Sequence, residues 1–208
     1  MRIREILKKA GVVPVLELER AEDAAPLARA LAEGGLEVIE LTLRTAAALD
    51  GVAAMRKAAP GLVIGMGSIR SADDVARSLA AGAEFLVSPG ASAALLSAMA
   101  LSGAPALPGV ATVSEAMTAA EAGFETMKFF PAEPAGGVPF LKAIAGPLPS
   151  IMFCPTGGIS AERAPDYLAL ANVACVGGSW IATRAAIRER DWAAIKANAR
   201  RAALMSRS

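Results

Sequence analysis

Short apolar runs alternate with alanine-rich stretches eight times along this chain, and that rhythm constrains the fold more than any other feature. The runs are VVPVLEL (12–18), EVIELTL (37–43), LVIGMG (62–67), EFLVS (84–88), PALPG (105–109), TMKFF (126–130), IMFCP (151–155) and VACVGG (173–178). Helical patterns lie between them at about 22–33, 46–59, 72–81, 92–102, 114–122, 137–145, 161–170 and 180–188, with a leading helix at 2–10 and a trailing one at 190–205. Strand runs apolar on both faces suit a parallel sheet covered by helices, and regular alternation with helices is the pattern of β/α units. Eight units favour closure as a TIM (β/α)8 barrel, here with an extra N-terminal helix, over an open doubly wound sheet. No proline-rich linker divides the chain, so residues 1–208 are expected to form a single domain.

Local punctuation supports this register. Ser71, Ser114 and Ser160 each precede acidic residues at a helix start, the pattern of a hydroxyl N-cap. Gly34, Gly82 and Gly123 follow helices, where a left-handed residue closes the last turn.

Composition narrows the chemistry. Basic and acidic side chains nearly balance, 21 against 20, which argues against nucleic acid as a partner. No stretch reads as a membrane span or a secretory signal, and a cytoplasmic location is expected. Histidine is absent, which removes Ser-His and Cys-His nucleophile pairs and histidine metal sites. Cys154 and Cys175, the two cysteines, lie in apolar runs and read as small buried hydrophobes. Chemistry must therefore rest on Lys, Arg, Glu, Asp, Ser, Thr or the backbone.

Two residues interrupt apolar strands. Lys128 stands inside TMKFF; a desolvated lysine that sheds its proton is a nucleophilic amine, the requirement for a Schiff base. The alternative is a lysine that reaches outward to water. Glu40 stands inside VIELT and shares its strand parity with Thr42 and Arg44. A buried carboxylate beside an amine can shuttle protons, or it can be a plain ion pair with Arg44 or Lys128. Arg44 could clamp a carboxylate in bidentate fashion or form a surface salt bridge. TIM barrels carry their active sites at the C-terminal strand ends. There the chain places Glu40, Thr42, Arg44, Ser68, Ser88, Thr112, Lys128, Thr156 and Ser179. The Gly-Gly turns PTGGIS (155–160) and VGGSW (176–180) close strands seven and eight, where barrels often bind phosphate.

In order along the chain, VIELTLRT, FLVSPG, LPGVATVSE, MKFFPAE, FCPTGGIS and CVGGSW resemble the 2-dehydro-3-deoxy-6-phosphogluconate (KDPG) aldolase family of the Entner–Doudoroff pathway. The resemblance runs from PVLELE to GGSW, nearly the whole chain. It implies a class I aldolase on a TIM barrel, a homotrimer, with no cofactor or metal. By the matching motifs, Lys128 would form the Schiff base with substrate, Glu40 would be the acid/base and Arg44 would bind the substrate carboxylate. Pro89 and Phe129 would line the site. Thr156, Gly157, Gly158, Gly178 and Ser179 fall in the substrate and phosphate loops. The chain reads GMGS where the family has GAGT, so Ser68 replaces a carboxylate-binding threonine, and Met66 is expected to crowd the site. The expected reaction is cleavage of KDPG to pyruvate and glyceraldehyde 3-phosphate, with 4-hydroxy-2-oxoglutarate as a further substrate. A related galactonate-branch aldolase is disfavoured by the arginine of LTLRT, and an idle site in a scaffold subunit is the non-enzymatic alternative.

From Phe85 to Ser114 no residue is charged, including the helix ASAALLSAMALSG. An outer barrel helix should turn a polar face to water, so a cover is expected: a natural trimer contact, or an engineered interface in a larger assembly.

Overall fold

The computed structural model describes residues 2–205. Helix α1 (Ile3–Leu7) leads into β1 (Val12–Leu16); a 3₁₀ turn (Ala21–Asp23) opens α2 (Ala24–Glu33). Then follow β2 (Val38–Thr42), α3 (Ala47–Ala58), β3 (Val63–Gly67), α4 (Ala72–Ala80), β4 (Phe85–Val87) and α5 (Ala93–Leu101). The second half runs β5 (Ala106–Leu107), β6 (Gly109–Val110), α6 (Val113–Glu121), β7 (Thr126–Phe129), α7 (Gly137–Ile144), β8 (Met152–Pro155), α8 (Ala164–Leu168), β9 (Val176–Gly178), α9 (Arg184–Arg188) and α10 (Trp192–Ala203).

All strand pairings are parallel. Six strands, ordered β5-β4-β3-β2-β1-β9, form a curled half-barrel sheet; a second sheet is ordered β6-β7-β8. The strand expected at 105–109 is thus two pieces in two sheets. Pro108 has no N–H to give to a ladder, and the chain changes partner there. Ser88 N donates to Leu107 O on one side of it, and Lys128 N donates to Pro108 O on the other. At the opposite seam, Ala174 N donates to Phe153 O, and Thr156 bridges Gly177.

Strand alternation sorts the apolar side chains into two clusters. Val13, Val38, Val63, Phe85, Val87, Leu107, Cys154 and Cys175 form one, and α1 adds Ile6 and Leu7 to it. Ile39, Leu41, Ile64, Met66, Leu86, Met127, Phe129 and Phe153 join the helices in the other. Each large apolar side chain buried this way contributes roughly 1.5–3 kcal/mol. Met66 is fully buried on the helix side of β3, so it does not crowd the site; its neighbours Gly65 and Gly67 take the inward positions.

Several helix boundaries differ from the sequence expectation. Ser71 does cap α4, accepting from Asp74 N. Thr112, not Ser114, caps α6, and Glu115 reaches back to its N–H in a capping box that Ser114 sits inside. Helix α8 begins only at Ala164, four residues after Ser160, and α9 begins after Thr183, whose hydroxyl accepts from Ala186 N. At the end of α2 it is Gly35, not Gly34, that is left-handed; Gly34 is held close against Ala199 of α10.

Helix α5 buries Leu95, Leu96 and Met99, yet its outer face is uncharged and ends in Leu101, 85% exposed, with half-exposed Met117 on α6. Among the described residues no helix is long and apolar enough to cross a membrane.

Candidate active site

Lys128 is the third residue of β7, and its inward side chain meets Glu40 from the middle of β2. Its Nζ donates to Glu40 Oε1 at 2.9 Å and lies 3.2 Å from Oε2. Each residue is only 5% exposed. Small neighbours make room: Lys128 is in register with Gly109 and Cys154, and Glu40 with Gly65 and Val15. Gly67, at the end of β3, is bare because the Glu40 carboxylate fills its Cβ position, with Oε1 2.1 Å from where that carbon would be. The contact has the geometry of a buried ammonium–carboxylate pair. One proton moved along that hydrogen bond turns it into a neutral amine beside a neutral acid, which a water-poor interior tolerates well.

The Lys128 nitrogen lies 5.5 Å from the centre of the Phe130 ring, within cation–π range. Phe129 points the other way. It stacks on Phe140 of α7 at 4.9 Å and meets Phe153 edge-on, in the layer between strands and helices. The aromatic beside the lysine is therefore Phe130, two residues along, and Phe129 is a core residue. Strand parity carried that signal, since residues 128 and 130 share a face.

Beyond Glu40 on β2, Thr42 donates to Leu16 O, and Arg44 leaves the strand end. Arg44 Nε donates to Ser68 Oγ at 2.9 Å, while its Nη1 lies 3.6 Å from Glu17 Oε2. Ser68 holds a left-handed backbone, φ 60°, that aims its hydroxyl at the arginine. Glu17, overlooked in the sequence, also pairs with Arg184. Glu17, Thr42, Arg44, Ser179, Thr183 and Arg184 line a cavity of about 510 Å³ at this end of β1, β2 and β9. Lys128 and Glu40 are not in its lining; Thr42, two residues past Glu40 on the same face, connects the two.

The expected phosphate turns are built as follows. Gly157 and Gly158 both have positive φ, and a side chain at either would strike Phe130 and Pro131 or Glu133. Glu133 N donates to Gly157 O, and the Glu133 carboxylate accepts from Tyr167 at 2.6 Å, so the MKFFPAE loop and the PTGG turn are tied together. Thr156 is buried with its side chain against Gly177. Gly178 backs onto the Trp180 indole, and Ser179 is exposed in the cavity wall. Pro89 is half-buried and its carbonyl packs against Gly109. Ser88 Oγ accepts from Gly109 N, a bond between β4 and the start of β6 that gives Ser88 a structural part.

Residues 3–198 match the family model for KDPG and KHG aldolase. The chain belongs to that family. It is 46% identical over 189 residues to the 2-dehydro-3-deoxy-phosphogluconate aldolase of Pseudoalteromonas atlantica, covering 91% of this chain and 88% of that one. It is 44% identical over 197 residues to the KHG/KDPG aldolase of Escherichia coli K12, covering 95% and 92%. Among solved structures, the KDPG aldolase of Legionella pneumophila, with pyruvate captured at low pH as a covalent carbinolamine intermediate, superposes with a TM-score of 0.94 at 42% identity. That match covers 97% of this chain and 98% of the Legionella one.

Proposed function

We propose that this family member is a class I aldolase that cleaves KDPG to pyruvate and glyceraldehyde 3-phosphate through a Schiff base on Lys128. The observation that carries the reading is the buried 2.9 Å contact between the Lys128 amine and the Glu40 carboxylate. The pyruvate carbinolamine of the Legionella relative supports it.

Proton transfer to Glu40 frees the amine, which attacks the C2 ketone of the substrate. Glu40 then protonates the departing hydroxyl, water leaves and an iminium forms. Glu40, now a carboxylate, takes the C4 hydroxyl proton, the C3–C4 bond breaks, and its electron pair moves to the iminium nitrogen as an enamine. Glyceraldehyde 3-phosphate departs, C3 is protonated, and hydrolysis returns pyruvate and the amine. The iminium is the electron sink, so the reaction calls for no metal. Arg44, oriented by Ser68, holds the substrate carboxylate. Phe130 takes the lining part first expected of Phe129, beside Pro89 and Thr156. Gly157, Gly158, Gly178 and Ser179 receive the phosphoryl group through backbone N–H groups and a hydroxyl. The KHG/KDPG name of the E. coli relative supports 4-hydroxy-2-oxoglutarate as a second substrate.

The two sheets act in this reading as one closed (β/α)8 barrel, with α1 packed into its N-terminal end, and residues 1–208 as one domain. Hydrogen bonds across both seams support that closure. The uncharged α5 face with Leu101 and Met117 supports a homotrimer or a larger assembly, working in the cytoplasm on a small phosphorylated metabolite.

The test is borohydride reduction in the presence of pyruvate, followed by peptide mass spectrometry. A pyruvate adduct on Lys128 is expected; an unmodified Lys128 overturns the proposal.

A further inference from the structure

Glu17 sits on the same face of β1 as Val15, at the strand's C-terminal end, and it is shared by two arginines. Its Oε2 faces Arg44 Nη1 at 3.6 Å, and its Oε1 accepts from Arg184 Nη2. The Glu17 side chain is only 11% exposed, whereas those of Arg44 and Arg184 are 48% and 62% exposed. Both guanidinium groups line the same cavity of about 510 Å³. The cluster carries two positive charges and one negative. Glu17, Arg44 and Arg184 are the charged residues in the cavity lining, so its excess positive charge belongs to the two arginines.

They are not equivalent. Arg44 extends from the strand that carries Glu40 and spends its Nε on Ser68. Arg184 follows β9, five residues past Ser179, and among the described contacts it spends only Nη2. Its Nε and Nη1 remain free to donate, on the Ser179 side of the cavity.

We propose that Arg184 is the residue that selects phosphorylated substrates, and that Glu17 is a positioning residue holding Arg184 and Arg44 side by side before substrate binds. This rests on the aldolase reading above. A phosphoryl group is a dianion with three acceptor oxygens; a guanidinium fork matches two of them at once. Backbone N–H groups and the Ser179 hydroxyl supply hydrogen bonds but no full charge. Arg184 supplies the charge. Glu17 keeps the two exposed cations at the mouth rather than in solvent, lowering the ordering cost of binding.

Two measurements test this on the 208-residue chain. The first titrates wild type and Arg184→Ala with inorganic phosphate, read by tryptophan fluorescence, since the Trp180 indole abuts Gly178 of the same loop. Affinity is expected to fall by about tenfold or more in the variant, the loss typical of a hydrogen bond to a charged group. The second compares KDPG with the same keto-sugar acid lacking its phosphate. The ratio of their kcat/KM values is expected to fall by about tenfold, through the KM for KDPG, with Arg184→Lys recovering part of it. Equal phosphate affinity in wild type and Arg184→Ala overturns the proposal, as does an equal loss with both substrates. Failure of the aldolase reading is seen separately, as absence of a pyruvate adduct on wild-type Lys128, and the phosphate titration decides the role of Arg184 either way.

Discussion

Gly67 and Glu40 share one volume: the carboxylate occupies the place where a side chain on residue 67 would begin, 2.1 Å from Oε1. Glu40 is thus held toward Lys128 by the backbone of the neighbouring strand. Gly67→Ala must push the carboxylate aside. Turnover is expected to fall by about a hundredfold, the usual result of misplacing a catalytic group by an ångström. Steady-state kcat checks this, with circular dichroism confirming the fold.

Lys128→Ala is expected to abolish both cleavage and the pyruvate adduct. It also leaves the Glu40 carboxylate buried without its partner, which costs about 3 kcal/mol. Urea unfolding measures that loss, and residual turnover would remove Lys128 from its assigned part. Glu40→Gln keeps the shape but cannot shuttle protons. Turnover is expected to drop by at least about a hundredfold while slow imine trapping persists.

Phe129 and Phe130 separate packing from chemistry on adjacent residues. Phe129→Ala removes a ring stacked between Phe140 and Phe153. A loss of about 3 kcal/mol or more in unfolding free energy is expected. Phe130→Ala opens the space beside the lysine and should cost about 1 kcal/mol or less in stability. Its effect should appear in kcat/KM for KDPG instead.

Tyr167, the one tyrosine in the chain, is pushed well above the ordinary phenol range, first by burial and then by the bond it donates to Glu133. A raised folded pKa means that the folded state holds its proton more tightly than the unfolded state. That contribution to stability is complete below the unfolded value of about 10 and declines as pH rises beyond it. Thermal melts above pH 10 should show the decline, and Tyr167→Phe should remove that component.

Chelation is expected to leave turnover unchanged, because the iminium itself accepts the electrons of the broken bond. An assay before and after EDTA treatment checks this; inhibition would contradict the mechanism.

Much of the candidate site was legible in one dimension. Lys128 and Glu40 stood out because a charge in an apolar strand is costly without a partner, and Gly157 and Gly158 because a Gly-Gly turn at a strand end lets backbone N–H groups approach an anion. Phe129 was misread although its opposite parity to Lys128 was legible, because the family motif was carried over whole; Met66 was misread for a different reason. In a strand apolar on both faces, alternation says that neighbours point opposite ways but not which way is inward. The run 105–109 was read as one strand through Pro108; that the chain breaks there and passes from one sheet to another depends on which neighbours offer partners on each side.

The sequence by itself determined the order of strands and helices, most of their bounds, the odd residues within them and the family motifs, because backbone propensity and side-chain periodicity act over a few residues. Only the tertiary structure decided that Lys128 meets a carboxylate 88 positions away, that Gly67 yields its space to that carboxylate, and that one glutamate serves Arg44 and Arg184 together. Those relations arise where the two sheets face each other and where neighbouring strand ends meet, and contact energies of a few ångströms' range are blind to separation along the chain.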